Sequence, residues 1–365
     1  MLSERSSRAL AGIRFPLVLM VLAMHVHPEA LHAGPVFSPA ATALTQLGFM
    51  AVPCFFLMSG YLFFRGLEDW DWKAYGRKLR SRVHTLLIPY LIFNLLCIAA
   101  PMAGVDNPAR NPDALPVFGW FWDSVTYNAG AENWLGFSLQ LFYPENVPLW
   151  YVRDLMLMCV ISPLVFVAVR RVPALVLPVL ALLFVLGIGN GWRGFSNSAL
   201  LFFSLGGFFA VRRIDLPLWA YMRRGVLIPA ALALWVAVVW LADAPFVQQF
   251  QQLFYLAASF ATLSLAYALS VREPSPLALR LSESSFFVYA LHMVTFGSFS
   301  MLGGIDNLLA SLLSAGTSAF GAWGYMFIAP AAVASACFLL FMLLRRLCPP
   351  VLAVLTGGRL NGSRR

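Results

Sequence analysis

Arg14 and His25 stand eleven residues apart in a run, Arg14-Phe-Pro-Leu-Val-Leu-Met-Val-Leu-Ala-Met-His25, that is otherwise apolar. At about 100° and 1.5 Å per residue, eleven helical steps return to within about 20° of the starting direction and climb about 16 Å. The two side chains therefore share one face. An ionisable residue inside a membrane helix costs on the order of 3 kcal/mol by insertion scales, so each one is a functional candidate. Arg14 suits an anionic phosphate or nucleotide group at a cytoplasmic mouth, and His25 suits accepting or relaying a proton at depth. The structural alternative is a positive flank and a buried, hydrogen-bonded histidine. His292, in Ser284-Ser-Phe-Phe-Val-Tyr289-Ala-Leu-His292, is expected at a comparable depth, about eight residues inside the cytoplasmic edge. His27 is the rival histidine beside His25, and His32 lies farther out.

These residues need a scaffold, and composition specifies its kind. The chain is 60% hydrophobic and 11% charged, with a mean hydropathy of +0.77, whereas soluble domains carry about 25% charged residues. A soluble fold is excluded. Apolar runs bounded by charge, Pro or Gly fall near 12–27, 41–64, 84–103, 149–169, 172–190, 197–211, 225–242, 249–270, 284–302 and 322–344. The expected architecture is all-α integral membrane, with about ten transmembrane helices. The membrane domain is expected to cover 1–348, followed by a short basic cytoplasmic tail over 349–365. Arg14 opening the first run and histidines closing it argue for a permanent span over a cleaved signal peptide.

The net charge of +9 sits in short clusters between apolar runs. That is a topology signal and points away from nucleic acid. With the N-terminus in the cytoplasm, only Arg110, Arg153 and Arg193 fall toward the outer side, so both termini are expected inside. The five cysteines have no CxxC spacing and no partner histidine, which leaves packing as their role and implies no metal.

Further candidates lie between the spans. Ser59 and Gly60 permit either close helix approach or a local opening for ligand. The loop from about 65 to 82 is short and basic; Arg77, Arg80 and Arg82 would grip the phosphates of a nucleotide-like donor or else membrane lipids. The loop from about 104 to 148 is long, Pro-rich and aromatic, and is expected to face out. Its Trp134, with Trp150 and Asp154 at the start of the fourth span, forms the candidate acceptor surface. The alternatives are an interfacial aromatic belt and an Arg153–Asp154 ion pair.

The ordered elements Arg14 to His25, Phe55-Phe-Leu-Met-Ser59-Gly60, Arg77-Lys-Leu-Arg-Ser-Arg82 leading to Pro89, Trp150-Tyr151 and Tyr289-Ala-Leu-His292 resemble those of the bacterial membrane-bound acyltransferase family 3. One departure is Thr85, which stands where members often carry the second of two arginines spaced three apart. The resemblance implies a glycan O-acetyltransferase of the bacterial inner membrane. Acetyl-CoA would be a cytoplasmic substrate, with no bound cofactor, and the acceptor a polysaccharide or lipid-linked oligosaccharide at the outer face. His25 would serve as base or transient acyl carrier, partnered by His292 and Ser59. The competing class is a multi-span transporter or flippase of an anionic glycan, in which Arg14, His25 and the basic loop guide the cargo.

Overall fold

A computed structural model describes residues 3–25, 37–102, 111, 113–115, 117–132, 138–188, 196–295, 309, 311–313 and 319–358. His27, His32, Arg110, Trp134 and Arg193 lie outside the described residues. The helices are α1 (Glu4–Gly12), α2 (Arg14–Met24), α3 (Phe37–Phe64), α4 (Trp72–Arg82), α5 (Ile88–Met102), α6 (Trp150–Arg171), α7 (Pro173–Val185), α8 (Asn197–Val211), α9 (Leu216–Met222), α10 (Arg224–Trp240), α11 (Val247–Leu269), α12 (Pro276–Thr295), α13 (Ala319–Leu347) and α14 (Pro349–Leu355).

Each of the ten apolar runs overlaps a helix, and the protein is an all-α, multi-pass membrane protein. Among the described residues, six helical stretches are long and apolar enough to cross a bilayer, and the α9–α10 pair, bent by 82°, makes a seventh if read as one broken span. Sequence alone leads to ten. The difference lies partly in α7 and α8, whose 13 and 15 residues reach only about 20–22 Å against a hydrocarbon core of about 30 Å. It lies also in α12, whose first half is charged and serine-rich. Large apolar side chains stand exposed on the outer faces of α7, α10 and α13, including Leu175, Leu182, Val226, Leu232, Leu339 and Leu343. Such outward apolar surface suits lipid contact.

α8 is apolar all round because it is the buried centre, packed against α3. Two glycines set that crossing. A Cβ on Gly60 would lie 2.1 Å from the Phe203 carbonyl oxygen, and one on Gly206 would lie 2.1 Å from that of Leu57. Both obstacles are backbone, so the helices must part to admit a methyl group. Gly60→Ala is therefore expected to cost about 1–3 kcal/mol, read as a lower unfolding temperature in detergent. An unchanged temperature would show that this crossing is not tight.

Two stretches read as loops hold regular secondary structure among their described residues. Residues 72–82 form α4, because Asp71 caps it by accepting from the Lys73 amide at 2.8 Å and lysine, arginine and leucine favour helix. A π-helical turn over Val83–Leu87 carries the chain on into α5. Within 104–148, β1 (Val125–Glu132) pairs antiparallel with β2 (Ser138–Tyr143). Arg153 ties this cap to the bundle by donating to the carbonyls of Trp122 at 2.5 Å and Phe142 at 3.2 Å. The first seven residues of the expected tail form α14, which buries Leu352.

Candidate functional site

α2 holds Arg14 at its first position and His25 at its C-cap. His25 Nδ1 lies 2.8 Å from the Val21 carbonyl oxygen. On α12, His292 Nδ1 lies 2.6 Å from the Tyr289 carbonyl oxygen, and His292 is fully buried. A carbonyl oxygen only accepts, so Nδ1 carries the hydrogen in both rings and Nε2 is the basic nitrogen of each neutral imidazole. The two imidazoles meet edge to face, with centroids 5.1 Å apart. The structure thus joins two histidines that are 267 positions apart in sequence.

A cavity of about 410 Å³ runs between α2, α3, α6 and α12, and Arg14, Ser59, Arg82, Tyr151, Glu283 and Tyr289 supply polar and charged groups to its wall. Neither histidine lines it. Tyr151 and Tyr289 stand between: their rings are 6.0 Å apart, and that of Tyr289 lies 6.0 Å from His292. The Tyr151 hydroxyl meets Ser59 Oγ at 3.0 Å. Ring contacts from Tyr151 through Tyr289 to His292 therefore link the cavity wall to the imidazoles behind it, while the Tyr289 hydroxyl donates to the Pro148 carbonyl.

Of the three candidate donor arginines, only Arg82 reaches this cavity. Arg77 and Arg80 are exposed, with Arg77 4.0 Å from Asp71. Helical geometry explains the split: Arg80 lies about 200° and Arg77 about 140° from Arg82, whereas Lys78 lies within about 40°. Lys78 is the companion cation, at 5.1 Å from the Phe63 ring over which Arg82 also lies, at 5.9 Å. Trp150 packs on Phe56 and on Tyr143 of β2, away from the cavity. Asp154 is buried in an ion pair with Arg153 at 3.0 Å. The sequence marks Tyr151 and Tyr289 as motif residues without a role in the site, and gives no role to Glu283 or Lys78. A signal existed for α12, since Ser282, Ser285, Tyr289 and His292 recur every three or four residues and so form one stripe.

A family profile described as an acyltransferase domain matches residues 8–345. The succinoglycan biosynthesis protein ExoH of Rhizobium meliloti (strain 1021) is 29% identical over 330 residues, covering 86% of this chain and 80% of that protein. Acyltransferase MdmB of Streptomyces mycarofaciens is 27% identical over 150 residues, 39% of this chain and 38% of that one. No solved structure matches the chain.

Proposed function

Because the chain belongs to the acyltransferase-domain family, whose profile spans residues 8–345, we propose that it is an O-acetyltransferase of the bacterial inner membrane. It moves an acetyl group from cytoplasmic acetyl-CoA to a hydroxyl of a surface or exported polysaccharide or its lipid-linked precursor. Both termini lie in the cytoplasm, and the ten helical runs fold around the path of the acyl group. A relative in succinoglycan biosynthesis favours an exopolysaccharide acceptor.

The observation that carries this reading is the cavity itself: arginines on its wall and, behind Tyr151 and Tyr289, a histidine pair. Arg14 and Arg82 attract the phosphates of the donor. The pantetheine arm follows the cavity and presents the thioester toward the tyrosines. His25 Nε2 takes the proton of the acceptor hydroxyl as its oxygen attacks the thioester carbon. The C–S bond breaks, the ester forms, and the CoA thiolate recovers a proton. His292 supports the imidazolium ring of His25 from the bundle interior, and Ser59 with Tyr151 orients the thioester carbonyl.

Acetyl transfer is tested directly with the purified full-length protein in nanodiscs, given labelled acetyl-CoA or succinyl-CoA and glycan extracted from the host. The expected result is alkali-labile label on the glycan from acetyl-CoA, with matching release of free CoA. Label from succinyl-CoA alone would contradict the acyl assignment, and label from neither would contradict the reaction. In the same assay Arg82→Gln is expected to raise the KM for acetyl-CoA about tenfold, the loss of one charged hydrogen bond, with a much smaller change for Arg80→Gln. Equal effects would place the donor on the exposed face of α4.

A further inference from the structure

The donor reading leaves one residue unexplained. Arg14 and Arg82 on the cavity wall attract a polyanion, yet the same wall carries Glu283, which repels it. Glu283 is ion-paired with Arg345 in the last turn of α13, and the two side chains keep 23% and 36% exposure. Charged groups from α2, α4 and α12 therefore line one cavity, and Arg345 of α13 joins them through its ion pair with Glu283. Glu283 precedes His292 by nine residues, about 14 Å along α12, and Arg14 precedes His25 by about 16 Å. Both spacings are comparable to a pantetheine arm, so a thioester near the histidines sets its phosphates near Arg14, Arg82 and Glu283.

We propose that Glu283 and Arg345 form an exchange latch for the phosphates of the CoA donor, an inference that rests on the donor reading above. Without ligand, Glu283 holds Arg345 at the rim. The arriving 3′-phospho-ADP group takes Arg345 as a further cation, and Glu283, already partly exposed, turns to water. When CoA leaves, the pair closes again. Because product CoA carries the same phosphates as the donor, a mouth of cations alone would retain the product. The competing carboxylate lowers affinity for both and speeds release. A merely structural pair would not distinguish ligands with phosphates from ligands without them.

The test is titration calorimetry of CoA and of pantetheine, which shares the arm and lacks the phosphates, on full-length protein in zwitterionic nanodiscs. Arg345→Ala is expected to weaken CoA about tenfold, and Glu283→Gln to tighten it about threefold, with pantetheine affinity unchanged in both. These opposite signs from the two halves of one ion pair are the signature of exchange. The latch is overturned if both variants weaken both ligands alike, or if Arg345→Ala leaves CoA affinity unchanged, the result expected were Arg345 serving a lipid headgroup. Should Arg345→Ala fail to fold, Glu283→Gln decides alone, since unchanged or weaker CoA binding overturns the latch. Wild-type protein that binds neither ligand overturns the donor reading itself, and the latch with it.

Discussion

His25→Ala is expected to lower acetyl transfer by at least about a hundredfold, the lower end of what a positioned general base contributes, while the protein still folds. The ring of His25 is only partly buried and caps a helix rather than filling the core, so its removal spares the packing. What is lost is the proposed Nε2 base, whose orientation the Val21 carbonyl fixes through Nδ1. His25→Gln retains hydrogen bonding but supplies no base, so it is expected to fail as well. His292→Ala opens a void in a fully buried site and is expected to lower both activity and stability. Kinetics on purified variants, with unfolding temperatures alongside, separate these cases. Full activity in His25→Ala would move the base elsewhere, to His27 first.

Arg153→Met is expected to cost about 3–5 kcal/mol, because it leaves the buried Asp154 carboxylate without its ion partner. Arg153 is 3% and Asp154 1% exposed, so solvent cannot take the place of the lost guanidinium. The change also frees the Trp122 and Phe142 carbonyls, through which Arg153 anchors the β1–β2 cap. The double variant Arg153→Met/Asp154→Leu removes the stranded charge and is expected to recover most of the stability. It does not restore the cap, so acceptor-dependent activity should stay low. Unfolding measurements on the single and double variants check the expectation. A single variant as stable as wild type would show that the pair contributes only locally.

The membrane class was legible in composition, since 60% hydrophobic and 11% charged residues exclude a soluble core. Helical spacing puts Arg14 and His25 on one face of a helix, whereas the structure sets Arg14 on the cavity wall and leaves His25, at the helix C-cap, off that wall. The family resemblance named His292 as a partner of His25, and packing of α2 against α12 places the two imidazoles 5.1 Å apart. The basic loop shows the opposite failure. A run of lysine and arginine looks like a solvated connection, but a capped helix orders it, and periodicity then decides that Arg82 and Lys78 face inward while Arg80 faces out. The short helices α7 and α8 separate the ten apolar runs from the six or seven long apolar helices among the described residues, and in α8 the apolar run reports burial in protein. Glu283 was hidden because its importance comes from Arg345 on another helix.

Acetylation of a glycan through His25 is the proposed reaction of this membrane protein. It is tested most directly by quantifying ester-linked acetyl on the surface glycans of a deletion strain, complemented with wild-type protein or with His25→Ala at matched expression. Acetylation is expected to disappear on deletion, to return with the wild type and to stay absent with His25→Ala. Glycans that keep their acetyl groups on deletion while their export falls would contradict it, and would favour a transporter.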